Sequence, residues 1–148
     1  MSDSRPDIIA IAHDDHYAEH VGRLADGRQF FVTTPFVTAF KDSEGREFLA
    51  VYVFDAEGNL LSAQVDDLGP RSKLDEIAAG KLHSSRLQEL GPRTSADIAI
   101  KPFSVERFGT TFGLILQEPE DEDDGWCATV EPGNYMAFYE PWDGTYDT

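Results

Sequence analysis

The sequence predicts an α+β fold on a mostly antiparallel, curved sheet of about eight strands, made of an N-terminal four-strand meander, a helical segment at 72–90, and C-terminal strands closing in a hairpin. Three observations carry this expectation. Residues 48–54 are apolar on both alternating sets: Phe48, Ala50, Tyr52 and Phe54 on one, Leu49, Val51 and Val53 on the other. A strand of that kind needs cover on both faces and belongs at the centre of a sheet. Glycine-bearing turns at 25–27, 42–45 and 55–59 cut the first half of the chain into strand-length pieces. Between 70 and 91 the apolar spacing changes from two to helical, with Leu74, Ile77, Ala78 and Leu82 in step.

Taken in order, residues 1–6 read as a loose leader. The segment 7–20 is either a short helix or a strand entering the sheet, and Pro6 at its start favours the helix. Strands are expected at 17–24, 29–40, 47–54 and 60–66. Pro35 marks a bend or an edge position in the second, and Gly58 supplies the positive φ of a short hairpin loop. Ser72 and Asp75 resemble a capping box. Measured from Leu74 around a helix, Leu82 falls at about 80°, Leu90 at about 160° and Leu87 at about 220°. This spread predicts a break between Gly80 and Ser85 and two short helices, the second ending at Gly91 and Pro92. The same stretch holds Arg71, Lys73, Lys81, Arg86 and Arg93.

Beyond it, Ile98, Ile100, Phe103 and Val105 read as one strand interrupted by Pro102, followed by a strand at 110–117. A last hairpin, 126–131 with 135–139, turns at Glu131, Pro132, Gly133 and Asn134 in a pattern that fits a type II turn. The tail carries Trp142 and Tyr146 and is expected to dock back on the sheet. The sheet is expected to curve strongly, as a half-barrel or a sandwich, with the helices over one face.

A chain of 148 residues with 41% hydrophobic and 11% aromatic content is expected to form one globular domain, 1–148, with an acidic loop at 118–125. Its apolar runs fall far short of a membrane span. The first residues lack the basic start and apolar stretch of a secretory signal, and the single cysteine, Cys127, makes no internal disulfide, so a cytoplasmic, bacterial-type protein is expected. The net charge is −16, distributed as −8 over residues 1–70, +2 over 71–117 and −10 over 118–148, where no lysine or arginine occurs. Such a field repels nucleic acid and anionic membranes and attracts cations and basic proteins. Solubility alone is the competing explanation.

Four groups of residues are candidates for chemistry. His13, His16 and His20 fall within about 60° of one another if they lie on a helix, a set that suits zinc or a similar divalent ion; a polar surface stretch is the alternative. The acids Glu118, Glu120, Asp121, Glu122, Asp123 and Asp124 precede Gly125 with part of a calcium-loop spacing. Glu120, Glu122, Asp124, Gly125 and Glu131 take positions 1, 3, 5, 6 and 12, but Pro132 and Gly133 exclude the exiting helix. Cys127 sits in a predicted strand, where a buried inert thiol is usual, and no nucleophile elbow, phosphate loop or dinucleotide fingerprint occurs. The last group is the acidic, aromatic C-terminus, with Trp126, Tyr135, Tyr139, Trp142 and Tyr146 amid Glu131, Glu140, Asp143 and Asp147. Glu120, Asp121, Glu122, Asp123, Asp124, Trp142, Asp143 and Tyr146 together have what a surface for a basic protein needs, carboxylates to steer and aromatics to anchor.

This profile is similar in type to bacterial immunity proteins, which neutralise basic toxin domains; the likeness is of type, not of motif, and transfers no residues. The expectation is a non-catalytic protein-binding module without a cofactor. The alternative is a metal-binding protein or metal-dependent enzyme using His13, His16 and His20, with zinc or calcium as the ion.

Overall fold

The structure is a computed structural model that describes residues 5–38, 45–121, 125–133 and 135–148. The elements are β1 (Ile9–Ile11), β2 (Val21–Leu24), β3 (Gln29–Thr33), β4 (Phe36–Val37), β5 (Arg46–Phe54), β6 (Leu60–Pro70), a 3-10 turn (Arg71–Lys73), α1 (Glu76–Glu89), β7 (Arg93–Ser95), β8 (Ile98–Ile100), β9 (Phe103–Arg107), β10 (Thr110–Gln117), β11 (Cys127–Glu131) and β12 (Ala137–Tyr139).

The expected single sheet of about eight strands does not form. Among the described residues the chain is mostly strand with one α-helix, and its strands build three separate sheets of six, four and two strands. In the six-stranded sheet, β2, β3 with β4, β5 and β6 form the expected meander, and β7 closes its far edge beside β2. β3 and β4 share one register against β5, from Gln29 opposite Phe54 to Phe36 opposite Glu47. They are one bent strand broken at Pro35, whose carbonyl still accepts from the Phe48 amide at 2.9 Å. The β5–β6 turn closes over Gly58 at φ 93°, and its amides bond to the Asp55 side chain.

Pro102 explains the split. Ile98–Ile100 and Phe103–Arg107 are not one strand: β8 pairs with β1, and β9 pairs with β10 in the four-stranded sheet β9-β10-β11-β12. Proline lacks the amide a continuous ladder needs, so the chain changes sheets there. The segment expected as an N-terminal helix is the strand β1, because Ile9 and Ile11 find Ile98 and Ile100 across the ladder and all four are buried. Buried Gln29 anchors this pair to the larger sheet. It donates to the carbonyls of Asp55 and Ala99 at 3.0 and 2.9 Å and accepts from the Ala99 amide at 2.8 Å.

β5 is covered on both sides, as its composition requires. Phe48, Ala50, Tyr52 and Phe54 join Phe112, Leu114, Ala128, Val130 and Phe138 of the four-stranded sheet in one core. Leu49, Val51 and Val53 join Leu24, Phe30 and Val32 in a second, against which Leu82 and Leu87 of α1 and Leu90 at its C-cap pack.

The helix is one continuous element, not two. Asp75, rather than Ser72, is its N-cap and accepts from the amides of Ile77 and Ala78 at 3.1 and 3.0 Å. The expected break is unnecessary because the inward stripe includes polar side chains. Arg86 and His83 fall between Leu82 and Leu87 around the axis, at about 120° and about 180° from Leu74. Arg86 is admitted by Asp66 of β6, which takes its guanidinium through two bonds at 2.8 and 2.9 Å. Ile77, on the far side, is left 75% exposed.

Candidate functional site

The four-stranded sheet faces the core on one side only. Alternation along its strands sends Phe112, Leu114, Ala128, Val130 and Phe138 inward. The opposite parity forms an outer surface whose rows follow from the register. Gln117, Cys127 and Tyr139 lie side by side across β10, β11 and β12, and Ile115, Thr129 and Ala137 form the next row. The tail extends that second row: Asp147 exchanges two backbone bonds of 2.9 Å with Ala137.

A cleft of about 540 Å³ opens over these rows, lined by Gln117, Cys127, Thr129, Ala137 and Tyr139, with Glu131, Asp147, Glu118, Glu120 and Thr148 around them. Four acidic side chains line it and, among the described residues, no lysine, arginine or histidine does. Among the described residues, no lysine or arginine forms an ion pair with any of the four. A second lobe of about 480 Å³ continues past Pro119 to Gly125 over the same Gln117, Cys127 and Tyr139 row.

The floor is ordered by a short relay. Gln117 donates its amide to the Thr129 hydroxyl at 3.2 Å, and that hydroxyl donates to Glu131 at 2.6 Å, which fixes the carboxylate. Burial pushes the Cys127 thiol up from its ordinary pKa, Tyr139 pulls against this through a hydrogen bond, and Glu131 adds to the rise. Cys127 and burial likewise raise the Tyr139 hydroxyl. At neutral pH the floor therefore carries a neutral thiol and a neutral phenol, and the thiol is not an activated nucleophile. The chemistry on offer is electrostatic attraction of a cation and contact with a half-exposed aromatic ring.

The residues singled out in sequence for a partner surface divide. Glu120 lines the cleft and Asp121 is exposed beside it. Glu122, Asp123 and Asp124 lie outside the described residues. Trp142 and Tyr146 pack against the core, as the docked tail requires. The Tyr146 hydroxyl donates to Asp14 and accepts from the Tyr17 amide, so this ring holds the tail down. Asp143 is exposed and accepts from both the amide and the hydroxyl of Thr145, bonds that lower its pKa. Glu131, position 12 of the calcium-loop spacing, is a strand residue bonded to Thr129.

The histidine set rested on a helix that does not form, since turns connect β1 to β2. The His13 amide donates to Asp97 at 2.9 Å, the His16 ring lies against Tyr17, and His20 meets His83 of α1. Among the described residues, no group of three or more histidine, cysteine or acidic side chains is placed to hold a metal ion. Sequence reasoning passed over Gln117 and Thr129, weighed Cys127 only as an inert strand thiol, and counted Tyr139 and Asp147 in the acidic, aromatic C-terminus without placing them in a cleft. The available signal was parity: Cys127, Thr129 and Glu131 share the polar set of a strand whose other set is apolar. The chain matches no protein-family model, no curated protein and no solved structure.

Proposed function

We propose that the protein is a non-catalytic binding module that receives a cationic segment of a basic protein partner in the cleft outside the four-stranded sheet. The observation that carries this reading is the lining: Glu118, Glu120, Glu131 and Asp147 surround a floor of neutral hydrogen-bonding groups, and among the described residues no basic side chain lines the cleft beside them. The −10 charge of residues 118–148 steers a basic partner toward this end of the molecule. The fixed Glu131 carboxylate and Tyr139, a residue 47% exposed, offer contacts suited to an arginine or lysine side chain.

Calorimetric titration with a hexa-arginine peptide tests the reading. Glu131→Gln combined with Asp147→Asn is expected to weaken binding about tenfold at low salt. A control of equal charge change away from the cleft, Asp15→Asn with Glu57→Gln, is expected to weaken it far less. Equal losses in the two double variants would mean that the peptide reads net charge and not this cleft. Binding that ignores salt would also reject it.

A further inference from the structure

α1 is held to the six-stranded sheet by few contacts. None of its residues is buried. Leu82, Leu87 and Leu90 touch the apolar face, and Arg86 grips Asp66. The Arg93 guanidinium of β7 donates to the Leu87 carbonyl at 2.9 Å, and a further contact is between two imidazoles. The His83 ring of α1 meets the His20 ring, at the end of the turn that leads into β2, edge to face with centroids 4.8 Å apart. The His83 Nε2 atom is buried and has no hydrogen-bond partner among the described residues. A cavity of about 130 Å³ lies at this contact, lined by His16, Tyr17, Glu19, His20, His83 and residues 32–34.

We propose that the His20–His83 contact is an acid-sensitive latch: it closes α1 on the sheet while His83 is neutral, and a proton on His83 drives α1 off and bares the apolar face beneath. The groups around the pair support this direction. From the turn before β2 come His16, Tyr17, Glu19 and His20; from β3 and the residue after it come the hydroxyls of Thr33 and Thr34. On the helix itself Arg86 is one turn away and already engaged by Asp66 and Glu89. Among the described residues Glu19 is the one carboxylate in this lining, and it lies 4.0 Å from His20 Nε2. A proton on His83 enters a half-buried site, and its buried Nε2 meets no acceptor among the described residues.

Burial first, and then the His20 charge, lower the His83 pKa below the ordinary histidine value, with Glu19 opposing. An undocked His83 takes its proton near the ordinary value of about 6.5. The docked one takes it only at lower pH, so docking is at full strength above the ordinary value. It weakens as pH falls from there toward the lowered value, and falls no further below it.

Hydrogen exchange read by mass spectrometry between pH 7.5 and 5.0, corrected for the intrinsic pH dependence of exchange, tests the latch on the intact chain. Protection of α1 amides is expected to fall about tenfold relative to β5 amides across this range. In His83→Phe the α1 protection is expected to be flat with pH. A flat profile in the parent protein, or an unchanged slope in His83→Phe, overturns the proposal. Should that variant not fold, the His83 ring signals in the NMR spectrum of the parent decide. Titration below the ordinary range in step with α1 opening supports the latch, and titration at the ordinary value overturns it.

Discussion

The two faces of β5 are equally apolar in sequence and unequally covered in the fold. On one side Phe48 meets the Phe112 ring at 5.0 Å, and Tyr52 and Phe54 meet Phe103 at 4.7 and 5.3 Å, edge to face. That cover is a second sheet whose Phe112, Leu114, Ala128, Val130 and Phe138 are buried to 1% exposure or less, with Phe103 partly buried beside them. On the other side Leu49, Val51 and Val53 face a helix that buries none of its residues and brings arginine and histidine to the contact. An apolar strand face demands cover but does not dictate its quality. The sheet-on-sheet side holds most of the stabilisation, and the sheet-on-helix side is free to be adjusted.

The difference is broken most directly by truncating one residue on each side. Phe112→Ala removes a fully buried ring and is expected to destabilise by about 3–5 kcal/mol. Leu87→Ala removes a partly exposed side chain and is expected to cost only about 1 kcal/mol. Urea denaturation of both variants checks the ratio, and equal losses would show that α1 covers its face as fully as the second sheet covers the other. Next in size is Asp66→Asn, which halves the charge-assisted grip on Arg86, whose side chain is 17% exposed. A loss of about 1 kcal/mol is expected, concentrated in the far-ultraviolet helix signal. A variant as stable and as helical as the parent would mean that the three leucines hold α1 unaided.

How much of this could be read in advance follows the same division. The sandwiching of β5 was legible because seven apolar residues in a row permit no other placement. The Gly58 turn and the docked tail were legible from local chemistry. The partition into three sheets was not, because it turns on Pro102 sending β8 to β1 and β9 to β10, a choice made by distant partners. β7 was missed outright: Arg93–Ser95 is polar and exposed, and is a strand only because β2 offers an open edge. The helix was misread as broken because only leucines, isoleucine and alanine were counted as inward. Asp66 lies ten residues before α1 in sequence, and no local signal says that it will admit Arg86. At the cleft, the acid block of 118–124 stood out, while the row of Gln117, Cys127 and Tyr139 needed the strand register to exist.

The smallest effect gives the sharpest reading of the weaker face. Gly80 lies in the interior of α1 and is exposed, and a Cβ built there meets nothing within 4 Å. Glycine in a helix interior is less favourable than alanine by about 0.8–1 kcal/mol, so Gly80→Ala is expected to stabilise the protein by about 0.5–1 kcal/mol. The gain has a defined location. Alanine at this point lowers the free energy of the helical state of α1 and leaves the contact between the two sheets as it was. Amide protection should therefore rise in α1 and stay constant in β5. A chain broken between Gly80 and Ser85 would respond in the opposite sense, because a glycine that ends a helix holds a conformation that alanine resists. Protection that drops after the substitution would divide α1 into two short helices, and the six-stranded sheet would then have even less cover on this side than the continuous helix provides.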